Sequence, residues 1–314
     1  MEPRNYQVSF QGKGSELFKI QIVNLILCVL TLGLYYPWAK AKTLQYLYGQ
    51  TQFEQHPFAF TGTGKQMFKG FIRAFLLIIL IYIVCIMLTL MSMPALGVLF
   101  VIVAFLAIIP MALHGSFRYR FAKSVWNGVR FGYTGSRSEL IKIFIKGLLL
   151  TIVTFGIYAS WFTIKLRNYM LSNVKMGNAS FSYHGDGADF FLLNLKGYFL
   201  TIFTLGIYSF WWQKDLFNYY VNNLRLQHDD NAVFFHSKAT GGKFAGLLIV
   251  NFLIVLFTLG LGYPWVIART LRFAFANVVI EGNIDFLQLQ QTQPDYSDAT
   301  GEDLAGFFDF GFVI

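Results

Sequence analysis

Five histidines, His56, His114, His184, His228 and His236, are the side chains of this 314-residue sequence best suited to metal binding or proton transfer. Their spacing argues against both. No His-x3-His or Glu-x2-His pair sets two ligands on one helical face. His184 and His236 stand at a recurring position that Thr61 and Thr134 fill elsewhere, which marks a polar strand position rather than a ligand. Cys28 and Cys85 lie inside apolar runs, where a thiol packs as a small hydrophobe. There is no Gly-x-Ser-x-Gly elbow, no catalytic carboxylate pair and no Ser–His or Cys–His constellation. Gly12-Lys13-Gly14 and Gly62-Thr63-Gly64-Lys65 look like pieces of phosphate loops, but neither completes a fingerprint. Glycine at a strand-to-helix exit has the simpler role of permitting a tight turn. The reading is therefore no enzyme, no metal and no cofactor.

The distinctive chemistry is a stripe of charges and amides indexed by tryptophan. A block of Thr, apolar, Gly, apolar, Tyr and then Trp occurs at 31–38, 154–161, 204–211 and, with Gly262 inserted before its Tyr, 258–265. Four residues after Trp38, Trp161, Trp211 and Trp265 come Lys42, Lys165, Asp215 and Arg269. Eight residues after come Tyr46, Tyr169, Tyr219 and Phe273, and twelve after come Gln50, Asn173, Asn223 and Asn277. Steps of four fall on one face of a helix. With Arg167 and Arg272, these residues are the candidates for a polar cavity between units, or for contacts to anionic lipid headgroups. Snorkelling of long side chains from an interfacial helix is the structural alternative.

The elements that must hold this stripe recur as well. Each block closes an apolar run and opens a more basic one, so Gly33, Gly156, Gly206 and Gly260 break a helix, and Pro37 and Pro264 suit the first turn of the next. Ahead of each apolar run stands a short alternating aromatic stretch, at 8–12, 58–62, 131–135, 181–185 and 233–237, with a looser one at 284–287. Such stretches between turn residues read as short strands. The chain thus divides into a repeat-built membrane domain, 1–293, with units starting near residues 10, 60, 133, 183 and 235, and a tail, 294–314. The second unit is atypical: it lacks the Trp block and closes with His114-Gly115-Ser116-Phe117-Arg118-Tyr119. The expected fold class is an α-helical integral membrane protein of five such units, with strands available to form a small sheet at the membrane surface.

Composition supports a bilayer environment. Charged residues are 13%, apolar residues 55% and the mean hydropathy is +0.51, where soluble domains carry about 25% charged residues. The runs 70–90 and 95–113 are each about as long as a bilayer core requires. Two topologies stay open. Either each apolar helix crosses, giving six spans, or each unit is a partly re-entrant hairpin that returns its strands to one face. Basic residues flank both ends of the units, which favours the hairpin. The net charge is +9, and the tail contributes five acids with no Lys or Arg, leaving the body at +14. Membrane lipids with anionic headgroups are the expected partners, and nucleic acid is not. Phe307, Phe308, Phe310 and Phe312 of the tail could offer a docking peptide to a membrane-protein partner.

The Phe-x-Gly-x-Gly stretch, the Thr-Leu-Gly-x-Tyr-x-Pro-Trp block, the following Tyr-Leu-Tyr and Asn127-Gly128-Val129-Arg130-Phe131 resemble the YjgN-like family of bacterial inner-membrane proteins over residues 8–290. That resemblance implies a multi-pass location in the bacterial inner membrane, in a family of unknown function, and carries over no catalytic residues. The expected function is a non-enzymatic membrane protein that binds or passes a small solute or lipid through a cavity between units. The alternative is a structural adaptor that presents its strands and tail to a membrane partner such as a protease or an envelope-assembly factor.

Overall fold

The computed structural model of the protein describes residues 4–291. Its chain order is β1 (Arg4–Tyr6), β2 (Val8–Phe10), α1 (Gly14–Leu30), α2 (Tyr36–Gly49), β3 (Thr51–Phe53), β4 (His56–Phe60), α3 (Gly64–Leu90), α4 (Pro94–Ala122), β5 (Ser124–Trp126), β6 (Val129–Tyr133), α5 (Arg137–Val153), α6 (Ala159–Ser172), β7 (Val174–Met176), β8 (Ala179–Tyr183), α7 (Gly187–Phe203), α8 (Ser209–Asn222), β9 (Leu224–His228), β10 (Asn231–Ser237), α9 (Gly241–Phe257), α10 (Tyr263–Ala276) and β11 (Val278–Gly282). A single 3-10 turn, Phe286–Gln288, follows.

The strands form one eleven-stranded antiparallel sheet in the order β1-β11-β10-β9-β8-β7-β6-β5-β4-β3-β2. β1 and β2 are separated only by Gln7, and they face opposite edges of that sheet. Arg4 and Tyr6 pair with Gly282 and Ile280 of β11, whereas Val8 and Phe10 pair with Phe53 and Thr51 of β3. One stave therefore switches partners at Gln7 and brings the sheet nearly full circle, which removes the exposed edges that short strands otherwise leave.

This overturns the expected class of an α-helical membrane protein with a small accessory sheet. The sheet is the core of the molecule, and among the described residues only α3 and α4 are long and apolar enough to cross a membrane. The physical reason is strand length. Five of the eleven strands directly follow a helix, and several, such as Val174–Met176, have only three residues, too few to show a period of two in the sequence. The stretch 284–287 is no strand either: Asp285 accepts the Leu287 N–H at 3.1 Å and caps the 3-10 turn.

Alternation along the strands fills the bore. Phe131, Tyr133, Val174, Met176, Leu226, Val233 and Ile280 are buried together, while the residues between them, such as Arg130, Lys175, Arg225 and Glu281, are half-buried on the other face. Trp126, Tyr183, Leu226, Val174 and Val233 are almost wholly inaccessible. The 3-10 turn stoppers one end: the Phe286 ring stands edge-on to Tyr6, Phe53 and Trp126 at 4.8, 4.7 and 6.2 Å, and the Tyr6 hydroxyl donates to the Ile284 carbonyl at 2.7 Å.

Each β-hairpin is joined to the next by a helical hairpin: α1–α2, α3–α4, α5–α6, α7–α8 and α9–α10. Every helix packs against the next in the chain, and α10 packs against α1, so the ten helices make a closed crown over the sheet. Four of the five joints between hairpins use one device. Trp265, Trp38, Trp161 and Trp211 lie on Gly14, Gly64, Gly187 and Gly241 of the following hairpin, so close that a Cβ there would come within 2.3–2.6 Å of an indole carbon or nitrogen. The α4–α5 joint lacks such a tryptophan.

Candidate functional site

The residue blocks that index the sequence form the tips of the crown. In four hairpins the first helix ends at Thr31, Thr154, Thr204 or Thr258, and two left-handed residues follow. The second is Gly33, Gly156, Gly206 or Gly260, with φ of 88–94° and an N–H bonded 2.7–2.9 Å to the carbonyl five residues back. The threonine hydroxyl donates to the carbonyl four residues earlier and accepts the N–H of Tyr35, Tyr158, Tyr208 or Gly262 at 2.7–3.0 Å, stitching one helix to the next.

The first left-handed residue is Leu32, Phe155, Leu205 or Leu259, with φ near 50°. Asn or Gly adopts that conformation with least strain. Instead a large apolar side chain holds it and projects outward, 94%, 98%, 95% and 92% exposed respectively. Around these tips Leu30, Val153, Phe203 and Phe257 are also exposed, at 74–80% for three and 73% for Val153. Apolar surface on this scale marks an interaction face. Nearer the sheet the first helices carry an exposed basic belt, including Lys19, Lys69, Lys142, Lys146, Lys196 and Lys243. On α1, α5, α7 and α9 the surface thus runs from lysines near the sheet to apolar tips.

The residues singled out by the sequence fall into separate local roles. Asn173, Asn223 and Asn277 end α6, α8 and α10. Their side-chain amides donate to the carbonyls of Tyr169, Tyr219 and Phe273 at 2.7–2.8 Å, and their carbonyls accept the N–H of Thr134, His184 and Lys238 at 2.8–2.9 Å. The aromatic before them is a staple: Tyr46, Tyr169 and Tyr219 hydroxyls donate to Lys13, Ser136 and Asp186 carbonyls at the start of their hairpins. Tyr46 also accepts the Lys13 N–H at 2.8 Å, which occupies a donor that a phosphate loop would need.

The charges at the next register do not converge. Lys42 is exposed with its Nζ 5.7 Å from the Tyr35 ring, Lys165 is exposed, and Asp215 pairs with Lys214. Arg269 donates to Asn251 Oδ1 at 3.3 Å and Arg272 to the Gly12 carbonyl at 2.9 Å. Arg167 differs. Its guanidinium lies 4.0 Å from the Tyr220 ring and 5.4 Å from the Tyr183 ring, with its Nε buried and unbonded and no acid beside it among the described residues. The tail phenylalanines Phe307, Phe308, Phe310 and Phe312 lie outside the described residues. Among the described residues no group of three His, Cys, Asp or Glu could hold a metal. The feature sequence reasoning missed is the tip residue before each glycine; its signal was a bulky apolar residue where a turn normally takes Asn or Gly.

The model of a bacterial protein family of unknown function, DUF898, matches residues 5–137, 131–195 and 212–307. The chain is 31% identical over 173 residues to the inner membrane protein YjgN of Salmonella typhimurium, covering 51% of this chain and 42% of that protein. It is 31% identical over 136 residues to the protein of the same name from Escherichia coli O157:H7, covering 43% and 33%. The aligned part therefore spans less than half the length of these curated relatives. No solved structure matches.

Proposed function

Because the chain belongs to the DUF898 family of bacterial proteins, and relatives in it are named inner membrane proteins, we propose that it too works in the inner membrane, with its crown in lipid and its sheet in water. The observation that carries this is the set of four apolar tips, Leu32, Phe155, Leu205 and Leu259, each over nine-tenths exposed. The basic belt suits the anionic cytoplasmic leaflet, so the sheet side faces the cytoplasm. α3 and α4, each long and apolar enough to cross a membrane, support a multi-pass placement.

The activity this arrangement serves best is binding lipid: acyl chains against the crown and anionic headgroups against the lysine belt. The packed bore, filled by Trp126, Leu226 and Val233, supports lipid binding over passage of a solute along the axis of the sheet. After an alkaline carbonate wash, the protein is expected to stay with the membrane pellet. In detergent, native mass spectrometry is expected to show phosphatidylglycerol retained over phosphatidylcholine, and replacing Lys19, Lys69, Lys146 and Lys196 by Gln is expected to erase that preference. Release by carbonate overturns the membrane reading. Retention indifferent to headgroup charge in the unaltered protein overturns the lipid reading.

A further inference from the structure

The five hairpins are unequal, and the inequality matches the dimensions of a bilayer. α1, α5, α7 and α9 each have 17 residues, a length of about 25 Å against a hydrocarbon core of about 30 Å. Beyond their last lysines, Lys19, Lys146, Lys196 and Lys243, only 7 to 14 helical residues remain before the tip, or about 10–21 Å. α3 has 27 residues, which carries its tip about 15 Å further out, roughly half the core. Between Arg73 and Arg118 this hairpin holds no charged residue.

The tip chemistry divides the same way. The left-handed residue that is Leu32, Phe155, Leu205 or Leu259 in the short hairpins is Ser92 in the long one, with φ of 59° and flanked by Met91 and Met93. A polar residue suits a tip that emerges in a headgroup layer, and Leu or Phe suits one that stops in hydrocarbon. We infer that the four short hairpins end inside the bilayer and displace one leaflet only, while α3–α4 alone crosses to the far side. The crown then acts as a wedge, adding cross-section to the leaflet beside the sheet and little to the opposite one. This rests on the crown being in lipid, as proposed above.

The test uses the full chain with Cys28 and Cys85 replaced by Ala and single cysteines at Leu32, Phe155, Leu205, Leu259 and Ser92. A membrane-impermeant maleimide is applied to intact spheroplasts and to inverted vesicles. Ser92→Cys is expected to react only from the side opposite the sheet. The four short-tip cysteines are expected to react from neither side and to label fully after detergent is added, which also shows that the thiols are present and reactive. Labelling of the short tips from the same side as Ser92→Cys overturns the one-leaflet inference and leaves the membrane reading intact. Labelling of all five in inverted vesicles without detergent overturns both.

Discussion

At the scale of single residues, Arg167 is the informative case. It is the ninth residue of α6, and the ninth residues of the equally long α2, α8 and α10 are Leu44, Phe217 and Leu271. Stacking on Tyr220 and Tyr183 returns about 0.5–2 kcal/mol at each ring, no more than the several kcal/mol that burying a charge costs. Arg167→Leu is therefore expected to melt at or above the temperature of the unaltered protein, and Arg167→Ala below it; thermal unfolding in detergent that placed the Leu variant lower would refute this. Tyr133 and Tyr183 make a second case. Burial holds both phenols above the usual tyrosine value, although Arg167 opposes this at Tyr183. The folded pKa is raised, so the unfolded chain ionises first as pH climbs. Stability is full below about pH 10 and falls above it; melting temperatures at pH 8, 10 and 11 check the sign, and a flat profile counts against it. The sequence marked Arg167 as part of a polar stripe, but Tyr183 and Tyr220 come from later elements and could not be read as its neighbours.

At the scale of elements, the threonine stitch and the tryptophan joint account for why the blocks recur. Thr154→Ala removes the acceptor of the Tyr158 N–H and is expected to cost about 1 kcal/mol. Gly187→Ala brings a methyl to 2.3 Å from the Trp161 ring and 3.0 Å from its Cα, and overpacking of this kind costs about 1–3 kcal/mol. Denaturant titration separates these from a surface change, which would leave the midpoint in place. The helices and their breaks were legible because apolar runs, glycines and prolines are local signals. The strand ahead of each apolar run was legible from its alternating aromatics. Its antiparallel partner was not: Thr51–Phe53 and Val174–Met176 continue an amphipathic helix without a change of composition. Asn173, Asn223 and Asn277 stood out by spacing alone, and spacing cannot tell a helix end from a binding stripe.

At the scale of the molecule, closure was the hidden property. Arg4–Tyr6 meets Gly282 across nearly the whole chain, and α10 meets α1; no window of sequence contains either contact. The stopper at Phe286 belongs to the same level. Phe286→Ala empties a site shared by Tyr6, Phe53 and Trp126 and is expected to cost about 3–5 kcal/mol, read as a lowered denaturation midpoint seen equally by near-ultraviolet circular dichroism and by Trp fluorescence; probes that diverge would mean the two ends of the sheet unfold separately. The ring is held by four rivets and one plain seam: at four joints an indole seats on glycine, and between α4 and α5 the helices close on each other without one.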